Sequence, residues 1–411
     1  MPRAAARPVA DPRSPEPEHH LTRITYALLL AGAFLVYASA NSPVPVAAEL
    51  RAQIGLTGGD AAVFMLPFAL GFGVGCLGWF AFARHRSPRV LIPLALALAA
   101  TATGVLLMAG TPAVAGGARF FVGMASAGFP AASQAVIAGG AGPRTRGRMI
   151  GGFAAAVVSG GVVGQAAIGG LADLISTRWA LAIVGVAAPL ATALALRATL
   201  APSRPGDGHD GIGPRGVSRL LRDQWPPLAL AALLFGPYWL MLSQLTETVR
   251  VERFQLSAAE AGLLPILGVL GVITTLGSGW LSDHLGHRLP ALATIGLGAV
   301  ALAFTLAVDT PLWMFAAGFG IFIAAYWGFL APGSSEVAHR AHARDRQQAL
   351  MAFYASAWVG AAVFTALGTA LAGWTQAAIV TIAAWGVAAV IAGAAFQRHR
   401  PIPGSHAGSA P

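Results

Sequence analysis

Side chains able to ionise, attack or ligate are few in this chain, and each stands in a telling place. Asp and Glu together number 16 in 411 residues, against 26 basic residues that are all arginine. The densest polar cluster reads Gly279-Trp280-Leu281-Ser282-Asp283-His284-Leu285-Gly286-His287-Arg288. In it, Asp283 at a helix end can accept charge-assisted hydrogen bonds from the N-terminus of an adjacent helix. Gly286 permits a tight turn, and Arg288 offers a counter-charge that a movement would break. The plainer alternative is a polar loop with one surface ion pair, worth about 0–1 kcal/mol. Arg119 is different, because it falls inside a long apolar stretch. A charge there faces a packed interior or an aqueous cavity, or else snorkels from two turns below the helix end. Nothing converges as nucleophile, base and metal ligands would, so catalysis has no candidate residues and no cofactor is implied. His339 and His342 stand beside Arg340 and Arg344, company too basic for a metal. Cys76 is the only cysteine, which excludes an intramolecular disulfide and leaves it as a small packing residue.

The elements that position these residues follow from composition. Hydrophobic residues make up 56% and charged residues 10%, with a mean hydropathy of +0.67, whereas soluble domains carry about 25% charged residues. The apolar residues come in long uncharged blocks, and about 20 in a row span the hydrocarbon as a helix. Twelve spans are expected, at 24–43, 60–83, 89–109, 113–138, 149–173, 179–200, 226–247, 259–282, 289–308, 311–333, 348–371 and 376–396. The stretch 201–225 reads as a linker between a half at 24–200 and a half at 226–397, with tails at 1–23 and 398–411. With the N-terminus on the cytoplasmic side, 21 arginines fall on that side and four on the other, with Arg119 inside a span. That bias places both termini in the cytoplasm and spreads the net charge of +10 over short connectors, which removes a nucleic-acid partner.

Self-similarity between the halves supports a duplication. Gly78-Trp79 recurs as Gly279-Trp280, and at an offset of 202 Pro130, Ser133, Arg144 and Met149 match Pro332, Ser335, Arg346 and Met351. The Gly279 to Arg288 connector resembles the cytoplasmic signature of the major facilitator superfamily, Gly-x-Leu-(Ala/Ser)-Asp-x-x-Gly-x-Arg. The resemblance implies an all-α integral membrane fold of about twelve helices in two pseudo-symmetric six-helix halves, with a gating loop that includes Gly279, Asp283, Gly286 and Arg288. The first-half loop runs from Gly78 to Arg86 and puts Phe82 where the family carries Asp, while the basic residues Arg84 and Arg86 remain. Arg119 and Gly123 resemble the Arg-x-x-x-Gly pattern of proton-coupled members. The run from Gly160 to Gly170 resembles the glycine-rich motif of the antiporters, with Gln165 where Pro is usual. A plain helix-packing face is the other reading of that run.

By this resemblance a small-molecule substrate binds near the bilayer midplane between the halves. The candidate cavity residues are Tyr37, Asn41, Arg119, Gln134, Gln165, Tyr238, Gln244, Tyr326, Trp327, Tyr354 and Trp358. Proton coupling would fall to Asp60, Glu247 or Arg119, since no carboxylate lies at the centre of an expected span. The same scarcity argues against a permanently cationic solute. The resemblance is closest to the bacterial drug-efflux branch of drug:proton antiporters. It implies a monomer in the bacterial inner membrane that exports a small organic solute as protons enter. Import or facilitated passage of a neutral or anionic metabolite is the alternative, and a non-transporting sensor or scaffold is the alternative from another class.

Overall fold

Apolar blocks with no internal partner for a strand edge can satisfy their backbone in lipid only as helices, and helices are what they form. The computed structural model describes residues 21–43, 46–56, 62–83, 86–142, 145–200, 214–244, 254–255, 267–306, 311–342, 345–371 and 374–397. In the first half these are α1 (Arg23–Asn41), the short α2 (Ala47–Gln53), α3 (Ala62–Phe82), α4 (Pro88–Leu107), α5 (Pro112–Ser126) and α6 (Gly128–Gly140), followed by α7 (Arg146–Leu174), α8 (Thr177–Ala182) and α9 (Ala188–Thr199). In the second half they are α10 (Pro214–Gln244), α11 (Val269–Leu285), α12 (Arg288–Leu306), α13 (Leu312–Arg340), α14 (Arg346–Ala370) and α15 (Trp374–Gln397).

Local chemistry sets several of the boundaries. The Thr22 and Thr111 hydroxyls accept the N–H groups of Thr25 and Val114 at the starts of α1 and α5, and Pro88 and Pro112 occupy first-turn positions where no N–H is needed. The expected fourth span is one crossing, Pro112–Gly140, broken at Ala127 into α5 and α6. Pro130 accounts for the break, because it has no N–H to give the carbonyl four residues earlier. A π-helical turn at Ile183–Ala187 joins α8 to α9 within the sixth span. The expected linker is partly helical, since α10 starts at Pro214.

Among the described residues, ten crossings are long and apolar enough to span a membrane. The helices α10 and α11 take the places of the expected seventh and eighth spans. In the first half α1 packs on α7, α3 on α5, and α4 on α5 and α9. In the second half α10 packs on α14 and α15, α12 on α13, and α11 on α13. The halves meet chiefly through α7 against α11 and α3 against α14. These are second-to-eleventh and fifth-to-eighth span contacts, one contact repeated with the halves exchanged, as a duplicated chain requires.

Lipid gives no hydrophobic drive for helices to associate, so close backbone approach has to supply the packing. The joint between α3 and α5 shows it: a Cβ built on Gly123 lies 2.1 Å from the Phe68 carbonyl oxygen, and one on Gly71 lies 2.0 Å from that of Phe120. Overpacking of this kind costs about 1–3 kcal/mol. Gly123→Leu is therefore expected to lower the unfolding temperature of the purified protein in detergent, whereas Gly117→Ala, whose Cβ meets nothing within 4 Å, leaves it unchanged. Equal melting of the two variants would contradict this packing.

Candidate functional site

Two layers of the molecule join the halves through side chains. The first lies at the ends of α7 and α11 and is built on Asp283. The backbone N–H of Gly147 donates to Asp283 Oδ1 at 2.6 Å, and that of Arg148 donates to Oδ2 at 2.8 Å. Asp283 closes the last turn of α11, while Gly147 and Arg148 open α7. A carboxylate of one half therefore sits on the positive end of a helix in the other, where orphan N–H groups and the helix dipole both favour it. The Arg148 guanidinium stands 3.9 Å from Oδ2, but its side chain is 58% exposed against 3% for Asp283. The backbone donors rather than that solvated pair hold the carboxylate.

The glycines of the loop make this approach possible. A Cβ on Gly279 would meet the Gly147 carbonyl oxygen and the Gly151 Cα at 2.7 Å each, so α7 and α11 touch backbone to backbone. Gly286 has φ +74° and turns the chain into α12. Arg288 is the first residue of α12. Next to this loop, Glu336 accepts a hydrogen bond from Arg340 at 2.7 Å within α13, and the rings of His287 and His339 are 6.0 Å apart. In the first-half loop, Phe82 is exposed and the Arg86 guanidinium lies 5.7 Å from its ring centroid. Arg84 lies outside the described residues.

The second layer is aromatic and deep. Trp358 of α14 stacks on Phe72 of α3 at 4.4 Å between ring centroids. Phe68 meets it at 5.5 Å, Trp239 at 5.2 Å and Tyr37 at 6.4 Å. Beside this group Tyr238 stacks on Tyr326 at 4.0 Å, with Trp327 edge-on to both. The second half thus pushes one indole into an aromatic wall of the first. Tyr354 is fully buried. Its hydroxyl has no hydrogen-bond partner among the described residues, an arrangement that costs stability unless something else binds there, while the indole N–H groups of Trp358 and Trp239 reach toward the Tyr37 and Tyr326 hydroxyls without good hydrogen-bond geometry.

The other sequence candidates are placed as follows. Arg119 is fully buried and donates from Nε to the Phe64 carbonyl at 3.1 Å, from Nη1 to Ser39 at 3.1 Å and from Nη2 to Ala40 at 2.5 Å. Its guanidinium lies 4.8 Å from the Phe68 ring centroid. It therefore caps the carbonyl end of α1 and ties α1, α3 and α5 together, with Phe68 between it and Trp358. Asn41 Nδ2 donates to the Tyr37 carbonyl at 2.9 Å, and Gln165 turns back to the Gly161 carbonyl, so each amide binds its own helix. Gln134 is fully buried, with both amide atoms unpartnered among the described residues. Gln244 closes α10, while Asp60 and Glu247 lie outside the described residues. The glycine-rich run on α7 packs on α1, where a Cβ on Gly160 would lie 2.2 Å from the Phe34 carbonyl oxygen. No metal-binding group of His, Cys, Asp and Glu occurs among the described residues. Sequence reasoning missed Phe68, Phe72, Trp239 and Arg148; the spacing of Phe64, Phe68 and Phe72 along one face of α3 was the available signal.

A multi-pass helical membrane protein whose two halves close on each other through a polar end and an aromatic centre is a secondary transporter in class. The chain belongs to the major facilitator superfamily: the profile described as Major Facilitator Superfamily matches residues 29–332. Its fold is similar to that of the human organic anion transporter MFSD10 (TETRAN), at 15% identity over 92% of this chain and 100% of that one, with a TM-score of 0.70. It is similar also to the superfamily transporter FucP in the outward conformation, at 14% identity over 92% and 99% of the two chains, TM-score 0.72. A bacterial homologue of the iron transporter ferroportin, in its outward-facing state, matches at 17% identity over 92% and 100%, TM-score 0.71. No curated protein sequence matches the chain. Family and fold make the protein a transporter rather than an enzyme.

Burial holds the His287 imidazole below its ordinary value; Glu336 and Asp283 oppose this, while His339 and Arg146 add to it. The unfolded chain therefore binds this proton more readily than the folded one, and stability falls as pH drops below the ordinary histidine value of about 6.5. The expected outcome is a lower unfolding temperature at pH 5.5 than at 7.5, with a smaller drop in His287→Phe. The same drop in both proteins would contradict it.

Proposed function

We propose that the chain exports a small organic solute by alternating access, coupled to proton entry in the manner of the drug:proton antiporter branch. Carrying this reading is the position of Trp358: a buried indole of one half, seated among Tyr37, Phe68 and Phe72 of the other, one helical turn from the Tyr354 hydroxyl, which has no partner among the described residues. An aromatic seam of this kind opens only when the halves part, and that hydroxyl then offers a hydrogen bond to a solute placed there. The rocking units in this reading are 24–200 and 226–397, joined by 201–225, and the transporter works as a monomer. The Asp283 end faces the cytoplasm of a bacterial inner membrane together with both termini, in line with the arginine bias. Asp283 on the first turn of α7 is the latch that releases when that end opens. Asp60 and Glu247 are the proton carriers to examine.

A second reading, passage of a neutral or anionic metabolite without export, is favoured by Arg119. Its positive charge is met by three backbone carbonyls and an aromatic face, with no carboxylate in contact among its described partners. A cation at the aromatic seam would feel that charge through one ring, whereas an anion would gain from it.

Inside-out vesicles with an acidified lumen, given a panel of dyes and small organic acids in the outer medium, test both readings. Trp358→Ala is expected to cut uptake of the transported solute at least about tenfold, the loss of roughly 1.4 kcal/mol of differential binding. Asp283→Asn is expected to slow turnover several-fold while binding changes little. If no solute moves across the panel, a sensor or scaffold replaces transport. If Trp358→Ala transports normally, the aromatic seam is not the site.

A further inference from the structure

A large cavity lies away from the aromatic seam. It is a groove of about 680 Å³ between α3, α4 and α5, walled by Trp79 and Phe82, by Leu98 and Val105, and by Val114 and Phe121. Phe82, Leu98, Val105, Val114 and Phe121 are each 41–54% exposed, so the groove opens sideways to the surrounding lipid. From Leu94 to Val105 the α4 wall runs about 16 Å at 1.5 Å per residue, slightly more than one leaflet of a hydrocarbon core about 30 Å thick. It thus has the length and polarity of a single acyl chain.

One end of the groove carries a charge. Phe82 is the last residue of α3, and the Arg86 guanidinium sits over its ring, exposed at the level where α3 ends. In the second-half loop the matching position is Asp283, which is buried on the α7 N-terminus. A carboxylate at the mouth of the groove would repel a phosphate, whereas a phenyl ring extends the apolar wall and leaves Arg86 to face it. We propose that this groove binds an anionic phospholipid, with one acyl chain along Trp79, Leu98 and Phe121 and the phosphate at Arg86. The site touches the working part of the fold, because α3 carries both the groove residues Gly75, Trp79 and Phe82 and the rings of Phe68 and Phe72 that meet Trp358. Occupation then braces α3 from the lipid side, which explains why the first-half loop departs from the acidic pattern of the second.

The test uses the purified full chain with phosphatidylglycerol and phosphatidylcholine of equal chain length, and native mass spectrometry counts the lipids retained. It does not depend on transport, so it stands or falls apart from the function proposed above. A basic residue at the membrane surface is worth about fivefold in retention of an anionic lipid, so the wild type should hold phosphatidylglycerol over phosphatidylcholine by roughly that factor. Arg86→Gln should retain the two equally, and Arg86→Lys should restore the preference. Gly78 and Gly117 line the groove, and a Cβ on either meets nothing within 4 Å. The double variant Gly78→Leu, Gly117→Leu should therefore fill the groove without a clash and lower retention of both lipids. Equal retention of the two lipids by the wild type overturns the proposal. So does undiminished phosphatidylglycerol in the filled variant, or in Arg86→Gln, whose exposed side chain leaves folding untouched.

Discussion

Everything in this structure turns on how a helical bundle without water holds two halves together at surfaces that must also part. The contact that does so with the fewest atoms is the Asp283 carboxylate on the first turn of α7. Hydrogen bonds to a charged group are worth about 1.5–3 kcal/mol each, and these depend on the donors and the carboxylate staying in register. The backbone contact of Gly279 with Gly147 and Gly151 fixes that register. A layer of this sort has two states, engaged or released, because a helix N-terminus displaced by a few ångströms no longer donates to the same oxygens.

The aromatic seam complements that layer. Trp358 makes its stacking contact across the halves, yet the Tyr354 hydroxyl one turn away goes unused among the described residues. The engaged state is therefore held by a polar contact at one end and is undersatisfied at its centre. Arg119 works in the opposite sense, because its three bonds all lie within the first half. It stiffens α1, α3 and α5 into one body, a precondition for rigid rocking rather than local yielding. The two halves are also unequal at their charged ends: Asp283 and the Glu336–Arg340 pair stand in the second, while the first has Phe82 and the Gln134 amide, which has no partner among the described residues.

The sequence made the architecture readable because the bilayer imposes a length and a polarity on each span, and because arginines mark one side. It also revealed the geometry of Asp283, since a carboxylate at a helix end with a glycine three residues on has few uses. Three things stayed hidden for physical reasons. The partners of Arg119 are backbone carbonyls, which carry no signature in the side-chain pattern. The neighbours of Trp358 come from three helices far apart in the chain, and periodicity on α3 shows only that Phe68 and Phe72 share a face. The helical start of α10 lay in a stretch whose Pro, Gly and Arg content reads as a linker, although Leu220 is buried. Proline at the break between α5 and α6 was visible, but its effect on a span as a whole depends on what the neighbouring helices can repair.

Double electron–electron resonance between spin labels on the exposed residues Arg148 and His284, in lipid nanodiscs, bears most directly on the claim that the halves part at the Asp283 layer. The account predicts one short distance in the wild type, joined by a second, longer population in Asp283→Asn. A single short distance, unchanged by that substitution and by any change of pH or added solute, would contradict it.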